Sequence, residues 1–146
     1  MTRRNLQMEA RIENLPAILR FAVDCADRLS WAKNRLANIE LVIEEAVVNV
    51  CKYAYPEGDG AIEVSCHGDQ SGLRIRITDT GQPFDLLSVA DPDMNADVEE
   101  RQIGGLGCFL IRTLADDVTC RREGNQNVLE LTFLPGKKKT DHADGG

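Results

Sequence analysis

The sequence predicts an α+β fold, a two-layer sandwich in which three helices cover one face of a mixed β-sheet. Three observations carry that expectation. Apolar residues recur at helical spacing in two long stretches and a third apolar run, and at alternate positions in five short ones. Their order is strand, helix, helix, two strands, a long irregular loop, helix, two strands, which puts helices against a sheet. The 146 residues are 42% hydrophobic but only 5% aromatic, which suits one domain with a core of Leu, Ile, Val and Ala. The expected bounds are 1–134 for that domain and 135–146 for a disordered tail.

Asn5 to Ile12 alternates, with Leu6, Met8, Ala10 and Ile12 on one side, and reads as a half-buried first strand. Asn14 is placed to cap a helix that carries Pro16 in its first turn and runs to about Leu29, with Ile18, Leu19, Ala22, Cys25, Ala26 and Leu29 at helical spacing. Ser30 to Asn34 connects it to a central helix that reaches Tyr55, and Trp31 in that connection reads as a packed anchor. On the central helix Leu36, Ile43, Val47, Val50 and Ala54 form an apolar stripe. Glu40 and Glu44 form a solvated face.

Pro56-Glu-Gly-Asp-Gly60 is a turn, and Ala61 to His67 and Leu73 to Thr78 alternate as the strands of a hairpin closed by Gly68 to Gly72. His67 ends a strand with no special duty. Between Gln82 and Ile103 periodicity is lost, and a loop of that length in a small domain is usually functional or mobile. The run Cys108 to Ala115 predicts the third helix. Asp117 to Arg122 and Val128 to Leu134, separated by Glu123 to Asn127, predict the last hairpin.

Composition narrows the function. Seventeen basic against 24 acidic residues leave a net charge of -7, which argues against a sequence-independent grip on nucleic acid or on an anionic membrane. The N-terminal residues are polar and no segment has the length to span a bilayer, so the expected location is the cytoplasm. Five cysteines without Cys-x-x-Cys spacing indicate neither a disulfide framework nor a zinc site.

Three places concentrate chemistry. On the central helix Glu45, Asn49 and Lys52 share an arc about 60° wide with Leu41 and Val42 beside them. A carboxylate among apolar neighbours needs a partner or a task, so Glu45 is either an ion-paired structural residue or a working one. Asp79-Thr-Gly81 at the end of a strand is either a plain turn or a base pocket, with a carboxylate to accept from an exocyclic amine and a glycine to admit a flat ring. Gly104-Gly105-Leu106-Gly107 at a helix start is either a loop hinge or a phosphate site built on free N–H groups and the helix dipole. Cys108, next in line, is expected to have a lowered pKa.

Taken in order, Glu45-x-x-x-Asn49-x-x-Lys52, Asp79-x-Gly81, a long loop and Gly104-Gly-x-Gly107 resemble the GHKL (histidine-kinase-like) ATPase superfamily, and within it the stand-alone anti-sigma-factor serine/threonine kinases. The resemblance covers about Leu6 to Leu134. It implies ATP and Mg²⁺ as cofactors. Glu45 would be the general base, Asn49 the metal ligand, and Lys52 a phosphate contact. Asp79 and Gly81 would hold adenine, with Thr132 near it, while Gly104, Gly105, Leu106 and Gly107 would border the phosphates.

Gln82-Pro83-Phe84-Asp85 follows Asp79-Thr-Gly81 where the larger members carry another glycine, and this variant looks like the regulatory branch. The loop is acidic, and Arg101 is its candidate for approaching phosphate. The implied function is phosphorylation of an anti-anti-sigma (antagonist) partner by a homodimer that can also sequester a sigma factor. The alternative is a non-catalytic ATP-dependent protein-binding switch. A detached histidine-kinase catalytic domain is disfavoured, because neither His67 nor His142 falls on a helix.

Overall fold

The computed structural model describes residues 2–88 and 106–136, the side chains of Thr2, Arg3 and Leu106 excepted. In chain order the elements are β1 (Thr2–Glu9), α1 (Leu15–Asp27), α2 (Lys33–Tyr53), β2 (Ala61–Asp69), β3 (Gly72–Asp79), α3 (Leu106–Leu114), β4 (Asp117–Glu123) and β5 (Gln126–Phe133). Short 3-10 turns occupy Ile12–Asn14 and Leu86–Ser88. No helix among the described residues is long and apolar enough to cross a membrane.

The strands lie in the order β1-β2-β3-β5-β4, and every neighbouring pair is antiparallel, so the expected mixed sheet is corrected. Two successive helices lie between β1 and β2, so the chain re-enters the sheet at the end it left, and the next strand runs back. The single helix α3 does bring β4 parallel to β3, but β5 folds in between them.

Alternation fixes the two faces. Val64, Ile77 and Leu129 lie in one row across the sheet, and Cys66, Ile75 and Leu131 in the next, all toward the helices. The opposite face is polar: Arg76 Nη2 lies 2.6 Å from Glu130 Oε2, and Arg121 Nη1 lies 3.0 Å from Glu130 Oε1. Those two guanidiniums hold the Glu130 carboxyl below its ordinary range, Arg121 most strongly. His67 is exposed on this face.

Several boundaries move. β1 starts at Thr2 and ends at Glu9, leaving Ile12 outside the strand and 51% exposed. Asn14 stands at the helix start but does not cap it, because its Nδ2 donates to the Glu9 carbonyl at 2.9 Å. α1 ends at Asp27 rather than Leu29, and α2 at Tyr53 rather than Tyr55.

The buried side of α2 also differs from the expected stripe. Ile39, Val42, Ile43, Ala46 and Val47 are fully covered, whereas Leu36 and Val50 are only partly so. α2 touches α1 and α3 as well as β3, so its covered arc is wider than one sheet-facing stripe. Val42, assigned to the polar arc, belongs to the core. Glu40 is exposed, while Glu44 is half-buried. Trp31 packs into the core as expected. All five cysteines are free thiols, with Cys25, Cys66 and Cys108 buried.

Candidate functional site

A narrow cleft opens beside α2. Ala46, Ile77, Leu86 and Leu129 form its apolar wall, and Asn49, Asp79 and Asn127 supply polar atoms. Three positions chosen from the sequence therefore meet here or at its rim: Asn49, Asp79 and, in direct contact with the α2 end of the cleft, Gly81.

Asp79 is the last residue of β3 and is buried. Its Oδ1 accepts from the Gly81 N–H at 2.8 Å and from Asn127 Nδ2 at 2.9 Å. Gly81 is needed for a packing reason: a Cβ there would stand 2.2 Å from the Ala54 carbonyl oxygen. The adjoining Gln82 N–H donates to that same carbonyl at 2.8 Å, so the turn after β3 is docked onto the end of α2.

At the other end of the cleft, Glu45 and Asn49 lie one turn apart on α2 and face the start of α3. A Cβ on Gly107 would lie 2.6 Å from Glu45 Oε1, and Asn49 Nδ2 donates to Cys108 Sγ at 3.8 Å. With its nitrogen turned to Cys108, Asn49 has its amide oxygen left for an electrophile. Burial raises the Glu45 pKa first of all; Glu44 adds to the rise and Lys52 opposes it. That is the environment of a poised base. Lys52 is exposed beyond them.

Burial pushes the Cys108 thiol up, against the lowered pKa expected at a helix start, and Arg112 and Asn49 only partly offset it. Thr132 is a second correction. It pairs with Arg74 and Asp117, whereas Asn127 pairs with Asp79, so Thr132 stands five residues along β5, about 17 Å away at 3.4 Å per residue. It also lies in the polar-face row, and it is not part of the cleft. Arg101, Gly104 and Gly105 lie outside the described residues, and Leu106 is described only as the first residue of α3.

The sequence reading missed Asn127, Arg122 and the aromatic rim. Asn127 is buried; its Nδ2 also donates to the Gln82 carbonyl at 2.8 Å, and its Oδ1 accepts from the Phe84 N–H at 3.2 Å and from Arg122 Nη1 at 3.1 Å. Arg122 Nη1 also donates to the Gly81 carbonyl at 2.8 Å. The rings of Tyr53 and Phe84 stack at the mouth, with centroids 6.4 Å apart and planes 13° from parallel. Tyr55 braces the same turn, its hydroxyl accepting from the Thr80 N–H at 2.8 Å and donating to the Ala61 carbonyl at 2.6 Å. One signal could have found Asn127. Gly124-Asn125 reads as a two-residue hairpin turn, and Gly124 has φ 60°, which places Asn127 inside a strand rather than in a loop.

Among the described residues no cluster of three His, Cys, Asp or Glu side chains could hold a metal alone. One amide oxygen beside one carboxylate instead suits Mg²⁺, which keeps several waters and takes substrate phosphate oxygens.

An apolar slot with a buried carboxylate at one end, a carboxylate and amide at a helix start at the other, and this strand order define an ATP-binding domain of one class: the chain belongs to the histidine kinase-like ATPase domain family, whose profile matches residues 8–133. Membership implies that it uses ATP. Within the family it is similar to Serine-protein kinase RsbW of Listeria innocua, at 31% identity over 123 residues, 81% of this chain and 78% of that protein. Serine-protein kinase RsbW of Halalkalibacterium halodurans is 32% identical over 124 residues, 82% of this chain and 76% of its own length. The fold matches the crystal structure of the RsbU and RsbW domains of Rv1364c from Mycobacterium tuberculosis with a TM-score of 0.64. That match runs at 16% identity over 94% of this chain and 34% of the other, so this chain spans about a third of that protein.

Proposed function

We propose that this chain is an anti-sigma regulatory factor that works as an ATP- and Mg²⁺-dependent protein serine/threonine kinase, phosphorylating a small anti-anti-sigma (antagonist) partner and sequestering a sigma factor. Its similarity to serine-protein kinases over most of the chain supports the reaction. The observation that carries the mechanism is the meeting of Glu45 and Asn49 with the start of α3.

In this reading the adenine lies in the apolar slot with its amino group on Asp79, and the phosphates run along α2 toward Gly107. Asn49 offers its amide oxygen to Mg²⁺, which when bound neutralises phosphate charge. Lys52 approaches the phosphates from solvent, and on the family resemblance alone Arg101, Gly104, Gly105 and Leu106 are proposed as further phosphate contacts. Glu45 accepts the proton of the partner's hydroxyl as that oxygen bonds to the γ-phosphorus. The bond from phosphorus to the bridging oxygen breaks, and ADP leaves.

The test is transfer of labelled γ-phosphate from Mg-ATP to protein in extract of the source cells, with Asn49→Ala protein as the blank. A labelled small protein, absent with the variant, is expected. Transfer by Glu45→Ala at the wild-type rate would refute the base assignment. ATP binding without any labelled product would leave a nucleotide-dependent binding switch. We further propose a homodimer, for which a solution mass of two chains is expected and a mass of one would rule it out.

A further inference from the structure

We propose that Asn127 is a positioning residue that makes the Asp79 carboxylate a one-oxygen acceptor, and thereby sets the cleft for a 6-aminopurine and against guanine. The inference rests on the reading of Asp79 as the group that meets the base.

Asn127 is saturated. Its Nδ2 donates to Asp79 Oδ1 and the Gln82 carbonyl, and its Oδ1 accepts from the Phe84 N–H and Arg122 Nη1, which uses all four hydrogen-bonding positions of a side-chain amide. Those partners come from β3, from the segment after it and from β4, so the amide is held from three sides before any nucleotide arrives. Arg122 is itself fixed by the Gly81 carbonyl at 2.8 Å. The amide cannot turn over without setting its oxygen against the Asp79 carboxylate.

The consequence falls on Asp79. Oδ1 already takes two donors, the Gly81 N–H at 2.8 Å and Asn127 Nδ2 at 2.9 Å, so Oδ2 is the oxygen left for a ligand. Guanine presents two adjacent N–H groups, at N1 and at the 2-amino group, and a carboxylate reads that edge with both oxygens. Adenine presents one amino group beside an unprotonated N1 and needs one oxygen. Ile77, Leu86 and Leu129 keep the slot apolar, so a donor without an acceptor there is costly.

The experiment measures ADP and GDP affinity of the full chain by calorimetry for wild type, Asn127→Ala, Asn127→Asp and Asp79→Ala, with thermal unfolding to show that each is folded. Wild type should prefer ADP. Asn127→Ala should weaken ADP about tenfold without an equal loss for GDP, narrowing the preference. Asn127→Asp keeps the shape but sets a carboxylate against Asp79, with Arg121, Arg122, Asp85 and the Cys120 thiol as the other titratable groups nearby. One proton shared by the two carboxylates restores the donor, so the loss of ADP affinity relative to wild type should shrink from about pH 8 to about pH 5.5. A merely structural role would weaken both nucleotides alike and show no such pH effect, and either result overturns the proposal. If Asp79→Ala keeps the wild-type preference, the base-pocket reading fails as well. Loss of preference in Asp79→Ala but not in Asn127→Ala overturns the Asn127 role alone.

Discussion

Glu45 shows how single residues tune this site. Its pKa is raised by burial and by Glu44 and lowered by Lys52, two neighbours on the same helix with opposite effects. A base works only when deprotonated, so phosphoryl transfer should fall as pH drops through the raised Glu45 value. Glu44→Gln removes a raising influence and should move that acid limb to lower pH. Lys52→Gln removes the lowering one and should move it to higher pH. Rate profiles of the three proteins check this, and an acid limb indifferent to both substitutions would show that another group titrates. Lys52, proposed as a phosphate contact, would then also help to set the protonation of its neighbour.

At the scale of elements, what the sequence made legible was whatever repeats locally. Alternation found β2 and β3 to within two residues, and helical spacing found α1 and α2. Misjudged features depend on neighbours that periodicity does not name. Val42 looked like part of a polar arc because the sequence does not say that α3 covers that side of α2. Asn127 looked like loop because a five-residue turn was read where Gly124 closes a two-residue one, and its partnership with Asp79 arises from the register of β3 and β5. Thr132, placed near adenine by the resemblance, stands apart from Asp79 because five positions along β5 carry a side chain from one end of the sheet to the other. Glu45 and Asn49 stand out as polar residues beside apolar ones on a helix, and Asp79 as a carboxylate that ends a strand two residues before a glycine, which needs no partner in view.

At the scale of the whole molecule, a buried ion pair closes the domain. Arg35, on the first turn of α2, is 2% exposed; it pairs with Asp116, donates through Nε to the Leu134 carbonyl at 2.9 Å and lies 5.8 Å over the Phe133 ring. Asp116 Oδ2 also accepts from the Leu134 N–H at 2.8 Å. The start of the central helix is thereby tied to the end of the last strand. Arg35 Nη1 has no partner among the described residues, so the pair is not an optimised one. Removing the cation nonetheless leaves its carboxylate poorly compensated, and Arg35→Ala should lower unfolding free energy by about 3–5 kcal/mol in urea titrations. A loss below about 1 kcal/mol would mean that the guanidinium is not a closing element.

Because Gly81 and Gln82 are seated on Ala54, the central helix carries both ends of the cleft on one rigid rod. Glu45 and Ala54 are nine residues apart, which at 1.5 Å per residue fixes an axial separation of about 13.5 Å. The rod thus acts as a measuring stick for its ligand, cut to one length. Replacing side chains between these marks leaves the length intact, whereas adding or deleting one residue would swing one end by about 100° relative to the other. Between residues 45 and 54 the number of residues, apart from the side chains that meet the ligand, is therefore what sets the span of the cleft.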